Sequence, residues 1–309
     1  MRLSVASRTI AAVLFAASLT HAEEDSTTTG WNTSLVTNLT VTQTSYSDSW
    51  VGGEAGSVNW VWNLDGTAER QLGSKLNFKS TLRFKFGQTL TQEFIRDSVS
   101  GDVIEKPWSK PKKSTDLIDW ENVARFTLGG AVDPYAAVRL ETQFFDGRVE
   151  ARKLFFSPLK LTESGGIARE FHKTDKESVV SRLGLALRQT IARNIIDAEL
   201  NTERSTITDG GVESVSDATL QLSERIQYVV KLTFYKALFS SASDDEALTG
   251  TEAEDFWKAI DVNFENTITA AVSKVISVSL YTQILYDKEV EKHVRFKETL
   301  ALGFVLRML

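Results

Sequence analysis

Cysteine is absent from the 309-residue chain, and histidine is scarce, with only His21, His172 and His293. Without thiols there is no disulfide framework, and the chain can cross an oxidising compartment without mispairing. Three histidines far apart in sequence leave little material for a histidine-based metal site or catalytic triad. Positive charge is outnumbered: 35 Lys and Arg stand against 41 Asp and Glu, for a net charge of −6 and a pI near 5.3. A nucleic-acid binder would carry a clustered basic face, so no nucleic-acid partner is expected. Beyond the first residues, no segment approaches the roughly 18 uninterrupted apolar residues of a membrane-spanning helix.

The N-terminus has the composition of an export signal. Arg2 and Arg8 supply the positive start, and Ile10 to Leu19 is an apolar run too short to span a bilayer of roughly 30 Å. Thr20-His21-Ala22 then offers a small residue for cleavage, followed by Glu23 and Glu24. The expected organisation is a signal peptide over 1–22, cleaved after Ala22, and one domain over 23–309.

What the rest of the chain has in abundance is alternation with period two, the pattern of a half-apolar strand. Trp31, Thr33, Leu35, Thr37, Leu39 and Val41 alternate with Asn32, Ser34, Val36, Asn38, Thr40 and Thr42. Val58, Trp60, Trp62, Leu64 and Ala68 share one face, and Ser57, Asn59, Asn63, Asp65, Thr67 and Glu69 the other. Leu76, Phe78, Leu82, Phe84 and Phe86 oppose Asn77, Lys79, Thr81, Arg83 and Lys85. Such a strand fits a soluble sandwich, whose apolar face is a core, or a membrane barrel, whose apolar face meets lipid.

Length and connection order favour the barrel. Strands are expected near 31–43, 57–69, 76–90, 115–128, 135–145, 158–170, 178–191, 212–223, 226–239, 257–271, 275–286 and 294–308. They are longer than the 5 or 6 residues typical of soluble strands and suit the about 9–11 needed to cross a membrane at a tilt. Short connections (Arg70–Lys75, Gly129–Pro134, Phe171–Glu177, Glu224–Arg225, around Lys274) alternate with long ones (Thr44–Gly56, Thr91–Ser114, Asp146–Ser157, Ala192–Gly211, Ser240–Phe256). That order matches short periplasmic turns and long outer loops, and bacterial single-chain barrels have even strand numbers. The expected fold is all-β: a transmembrane antiparallel up-and-down barrel of about 12 strands, within a range of 10–14, in the bacterial outer membrane. Segments 158–170 and 212–223 alternate poorly.

Aromatic residues fall on the apolar faces, many near strand ends: Trp31, Trp60, Trp62, Phe84, Phe86, Trp120, Tyr135, Phe144, Tyr228, Phe234, Tyr286, Phe296 and Phe304. This is the placement of an interfacial girdle. Charges fall on the opposite faces. The candidate lumen-lining residues are Lys79, Arg83, Lys85, Asp119, Glu121, Arg125, Arg139, Glu141, Arg182, Arg188, Asp217, Lys231, Asp261, Glu265, Arg295 and Lys297. Opposite signs on neighbouring strands attract. They make either an internal ion-pair lattice filling a narrow lumen or a charged ring that filters solutes; long outer loops folding inward would add a plug.

Other chemistry finds little support. The acidic stretches Ser243-Asp244-Asp245-Glu246 and Glu252-Ala253-Glu254-Asp255 lack the spacing of an EF-hand loop and read as solvated loop. Gly52-Gly53-Glu54-Ala55-Gly56 lacks the spacing of a phosphate loop. An outer-membrane lipase needs a histidine within reach of a rim serine, yet His172 falls in a turn and His293 in an outer loop. No enzyme activity and no cofactor are expected.

Several segments together resemble a family of uncharacterised bacterial outer-membrane barrels with a Trp-x-Gly-Gly-Glu first loop, here Ser49-Trp50-Val51-Gly52-Gly53-Glu54. Further echoes are Phe156-Ser157-Pro158-Leu159-Lys160-Leu161-Thr162-Glu163-Ser164, Leu285-Tyr286-Asp287 and Phe296-Lys297-Glu298-Thr299-Leu300-Ala301-Leu302-Gly303. The resemblance implies an outer-membrane barrel and supplies no activity or site residues. Two departures stand out. The chain ends Leu306-Arg307-Met308-Leu309 where such barrels usually end in an aromatic residue read by the assembly machinery, and Glu298 falls on the lipid face by parity. The functional expectation is a small passive channel or a structural wall protein; the alternatives are a secreted soluble β-protein that binds a ligand and, third, a lipase. Expected partners are outer-membrane lipid, the barrel-assembly machinery during insertion and, as a candidate, small solutes.

Overall fold

In the computed structural model, residues 30–46, 55–100, 103–174, 176–244 and 250–307 are described. The expected signal peptide, the first-loop segment Ser49–Glu54 and the final Met308 and Leu309 lie outside them.

The alternating segments become twelve long strands. They are β1 (Asn32–Thr44), β2 (Ser57–Gln71), β3 (Leu76–Thr91), β4 (Lys112–Phe126), β5 (Asp133–Thr142) and β6 (Leu159–Lys173). After them come β7 (Ser178–Ile195), β8 (Thr202–Ser223), β9 (Ile226–Ser240), β10 (Ile260–Ala271), β11 (Ile276–Asp287) and β12 (Glu291–Arg307). Each pairs antiparallel with the strands before and after it, and β12 returns to β1, closing the barrel. Closure satisfies ladder groups that an open sheet would leave at its edges. The closing seam is short: Val36–Thr40 pair with Arg307–Gly303, whereas β1 and β2 pair along the whole of β1.

The turns at one end are tight. Gly73 and Gly129 occupy two of them with φ of 75° and 74°, a left-handed conformation that a side chain resists. The opposite end carries the long loops. Two of these contain small hairpins, Ile95–Arg96 with Val103–Glu105 and Phe145–Asp146 with Leu154–Phe155.

One expected long loop proves short. Ala192–Gly211 was expected to be loop, but β7 runs to Ile195 and β8 begins at Thr202, leaving a six-residue connection, 196–201. The register between β8 and β9 shifts at Gly210/Gly211. That bulge breaks the period-two pattern and hides the first part of β8 from a periodicity reading. The β11–β12 connection, 288–290, is likewise short although it lies at the long-loop end.

Burial is inverted relative to a soluble protein. Among the described residues no large side chain is fully buried. Leu185 (67%), Leu300 (71%) and Phe304 (68%) are exposed on the outer wall, while Asp119 (3%) and Arg182 (5%) are buried. A sandwich core would show the reverse. Glu163 and Glu298 are also exposed. Their strand partners, Val138 and Leu187 for Glu163 and Thr282 for Glu298, put them on the outer wall, so Glu298 has the parity expected of it.

Aromatics gather at the long-loop end of the outer wall. Phe86 meets Trp60 at 5.7 Å, Phe144 at 5.5 Å and Phe145 at 6.0 Å between ring centroids, and Phe84 meets Phe144 at 6.2 Å. Asp116 accepts hydrogen bonds from the Phe144 and Phe145 amides, tying this cluster to β4. Tyr135 differs from the expectation for it. It faces inward and is buried beside Ala137 and Ala168, over Gly184, where an added Cβ would lie 2.7 Å from the Tyr135 hydroxyl.

Candidate functional site

The charged faces point into the barrel, and the proof is which strands they connect. Arg83 on β3 reaches Glu265 on β10 at 3.2 Å. Lys231 on β9 reaches Glu121 on β4 at 2.7 Å. Each pair joins strands five steps apart around the wall, so each contact crosses the lumen.

The geometry also fixes the cross-section. Twelve strands about 4.8 Å apart and tilted about 40° would make a round barrel about 24 Å wide between backbones. Fully extended, an arginine and a glutamate together span roughly 15 Å from Cα to Cα. The wall of β3 and β4 is therefore drawn toward the wall of β9 and β10, and the lumen is flattened where these side chains meet.

Between these walls the charges form a central network of two clusters, set side by side where Glu121 is the strand partner of Arg139 and Lys231 that of Glu265. Asp119 accepts from Arg139 at 2.8 Å and also pairs with Arg83. Arg139 reaches Glu141 at 3.0 Å. Glu121 accepts from Arg182 at 2.6 Å on one carboxylate oxygen and from Lys231 on the other. Asp217 lies 3.5 Å from Arg182 and 3.8 Å from Lys231. Glu265 accepts in addition from the Tyr281 hydroxyl at 3.2 Å and from Asn263 at 3.1 Å. Opposite charges this close and this enclosed compensate the cost of leaving water only when hydrogen-bonded; Arg83, Asp119, Glu121, Arg139, Arg182, Lys231 and Glu265 are, while Asp217 stays half-exposed at the edge.

Two further levels narrow the barrel. Toward the long-loop end, Arg188 pairs with Asp209 and Asp261, each at 2.8 Å, and lies 3.4 Å from the centre of the Tyr235 ring. Tyr235 donates to Asp209 at 2.5 Å. Above them sits a short 3₁₀ helix, Glu252–Lys258, from the β9–β10 loop. Its Trp257 packs on the inward residues Ala186, Tyr235 and Ala237. Its Glu252 pairs with Lys292 at 2.6 Å, and Lys288 and Lys292 lie 4.6 and 5.3 Å from the Phe256 ring. This helix therefore lies over the mouth. At the short-turn end, Lys173 on β6 crosses to Glu69 on β2 at 2.5 Å, beside a recess of about 470 Å³ lined in part by Asn32, Thr67 and Gln227.

Of the expected inward residues, Arg83, Asp119, Glu121, Arg139, Glu141, Arg182, Asp217, Lys231 and Glu265 meet in the central network, and Arg188 and Asp261 in the level above. Arg125 pairs with Glu170 at 2.8 Å near the short turns. Lys79, Lys85, Arg295 and Lys297 make no ion pair among the described residues. Periodicity missed Asp209, because the bulge placed it in an expected loop. It missed Tyr235 and Tyr281, because an inward tyrosine reads as one more strand aromatic. Trp257 was expected to open the strand 257–271, but it belongs to the 3₁₀ helix Glu252–Lys258 and the strand begins at Ile260.

The other candidates are accounted for locally. His172 lies 3.0 Å from Glu177, and His293 lies 2.9 Å from Glu291. The His172 hydrogen bond and the Gln221 amide hold the Glu177 carboxyl below its usual range. Among the described residues no cluster of three or more His, Asp or Glu side chains is arranged to hold a metal ion.

Residues 41–147 match a family described as protein of unknown function (DUF3078). The matched stretch, roughly a third of the chain, runs from β1 past β5 and contains the segment Ser49-Trp50-Val51-Gly52-Gly53-Glu54. The family carries no assigned chemistry. No curated protein matches the sequence. Among solved structures, the COG4313 outer membrane channel from Pseudomonas putida F1 is 14% identical, over 94% of this chain and 100% of that one, with a TM-score of 0.42. The NanC porin is 7% identical, over 89% and 100%, with a TM-score of 0.35. The β domain of the Bordetella autotransporter BrkA is 12% identical, over 89% and 98%, with a TM-score of 0.34. At these scores the likenesses carry nothing about function to this chain.

Proposed function

We propose that this chain is a bacterial outer-membrane β-barrel whose lumen is closed in the resting state by its own ion-pair network, a wall protein rather than an open pore. The membrane reading is supported by the exposed apolar outer wall, the even strand number and the export-like N-terminus. A soluble ligand-binding β-protein would leave Leu185, Leu300 and Phe304 in water, and a lipase has no histidine near a rim serine to recommend it. Outer-membrane lipid and, during insertion, the barrel-assembly machinery are the partners this reading requires.

The observation that carries the closed state is the pair of crossings, Arg83 to Glu265 and Lys231 to Glu121. A hydrated solute cannot pass this level without parting enclosed ion pairs. Planar-bilayer recording of the refolded mature chain tests the proposal. The unmodified protein is expected to insert without discrete conductance steps, and Arg83→Ala with Lys231→Ala, which removes both crossing arms, is expected to produce them. Steps from the unmodified protein would overturn the closed lumen. Recovery in the soluble periplasmic fraction would overturn the membrane reading.

A further inference from the structure

The acids of the central network pair with the network's own cations, and one sector of the inner wall is left cationic. Lys85 on β3 and Arg295 and Lys297 on β12 face inward, and none has a carboxylate at ion-pair distance among the described residues. Lys85 lies 4.1 Å from the centre of the Tyr281 ring. Lys297 donates to the Thr115 hydroxyl at 3.1 Å. The Nε of Arg295 is buried with no hydrogen-bond partner, which leaves a strong donor unsatisfied.

The surroundings keep the charge uncompensated. Between Lys85 and the β12 cations stand β1, which has no charged residue, and the part of β2 from Ser57 to Leu64, which has none either. Asn63 is the strand partner of Lys85, and Asn38 the partner of Asn63. The two acids that face Lys85 are Glu265 and Asp65, while Arg83 and Lys297 face it with the same sign. Glu265 is already held by Arg83, Tyr281 and Asn263, and Asp65, which lies between the charges of Lys85 and Arg83, forms an ion pair with neither.

Three cations, an unsatisfied guanidinium donor and a neutral wall of amides and hydroxyls make a receptor for a small oxyanion. We infer that this sector, lined by Lys85, Arg295 and Lys297, binds a small carboxylate or phosphate above the closed network. The inference rests on the inward placement of these strand faces and is independent of whether the network below conducts. Lysines place point charges and the arginine supplies directed N–H groups, a combination suited to oxyanions over halides.

The test is calorimetric titration of the refolded full-length mature chain with inorganic phosphate, and separately with acetate, at constant ionic strength set by chloride. Phosphate is expected to bind saturably, with acetate competing if the site takes carboxylates. In Lys85→Gln with Lys297→Gln the affinity is expected to fall at least tenfold, with folding verified by heat-modifiable gel mobility. Lys79→Gln, which removes an inward cation from the other end of β3, is expected to bind as the unmodified protein does. No saturable phosphate or acetate binding by the unmodified protein, or unchanged binding by a folded double variant, would overturn the inference. A conducting protein that binds phosphate would overturn the closed lumen and leave this site standing.

Discussion

Glu121 holds two cations at once, Arg182 from β7 and Lys231 from β9, one on each carboxylate oxygen. Replacing it with glutamine keeps the shape and removes the charge, leaving two enclosed cations short of a partner. Removing one partner of a buried pair costs about 3–5 kcal/mol. For Glu121→Gln a loss of about 3 kcal/mol is expected in urea unfolding from lipid vesicles, whereas a change within about 0.5 kcal/mol would mean that water screens the network. At the mouth, Glu289 behaves differently. Although Glu289 is exposed, partial withdrawal from water, followed by the charges of Asp287 and Asp209, pushes its carboxyl up to about 7, against the opposing effect of Arg188. A raised carboxyl contributes stability while it is protonated and loses it as pH climbs from the ordinary carboxylate range through 7. Glu289→Gln is therefore expected to match the parent protein at pH 4 and to exceed it in stability at pH 8. Denaturant midpoints at the two pH values measure this, and equal midpoints at pH 8 would show an ordinary carboxyl.

At the scale of elements, the strands are legible in sequence because a side chain on a strand has only two directions to point. Where both faces carry ordinary chemistry, as in β2 and β3, the boundaries fall within a residue or two of expectation. Where small residues and a bulge interrupt the alternation, as at Gly210 and Gly211, the signal fails although the ladder continues. Parity also placed the charges on the inner face, but it could not say which of them meet, because Arg83 and Glu265 are 182 residues apart and join only through closure and flattening. The lid was less legible still. Trp257 sits in an acidic, polar loop, and its inward turn depends on the apolar seat made by Ala186, Tyr235 and Ala237. Trp257→Ala is expected to free this loop. A cysteine placed at Ala237 should then react faster with a membrane-impermeant maleimide than in the parent background, and equal rates would show that Trp257 does not cover the mouth.

At the scale of the molecule, the protein is inside-out: the apolar side chains are on the outer wall and the buried ones include paired charges. The same inversion that suits the wall to lipid requires the interior to satisfy its own polar groups, and the central charges do so by bringing opposite walls together. The lid lies toward the mouth, beyond the central network in which charged side chains join opposite walls. Opening the lid alone is therefore not expected to create a pore. The most direct measurement is single-channel recording in a planar bilayer of the parent protein beside Arg83→Ala with Lys231→Ala, both shown to be folded by heat-modifiable mobility. A silent parent and discrete steps from the double variant are expected from a lumen closed by crossing ion pairs; steps from the parent, or silence from both, would contradict it.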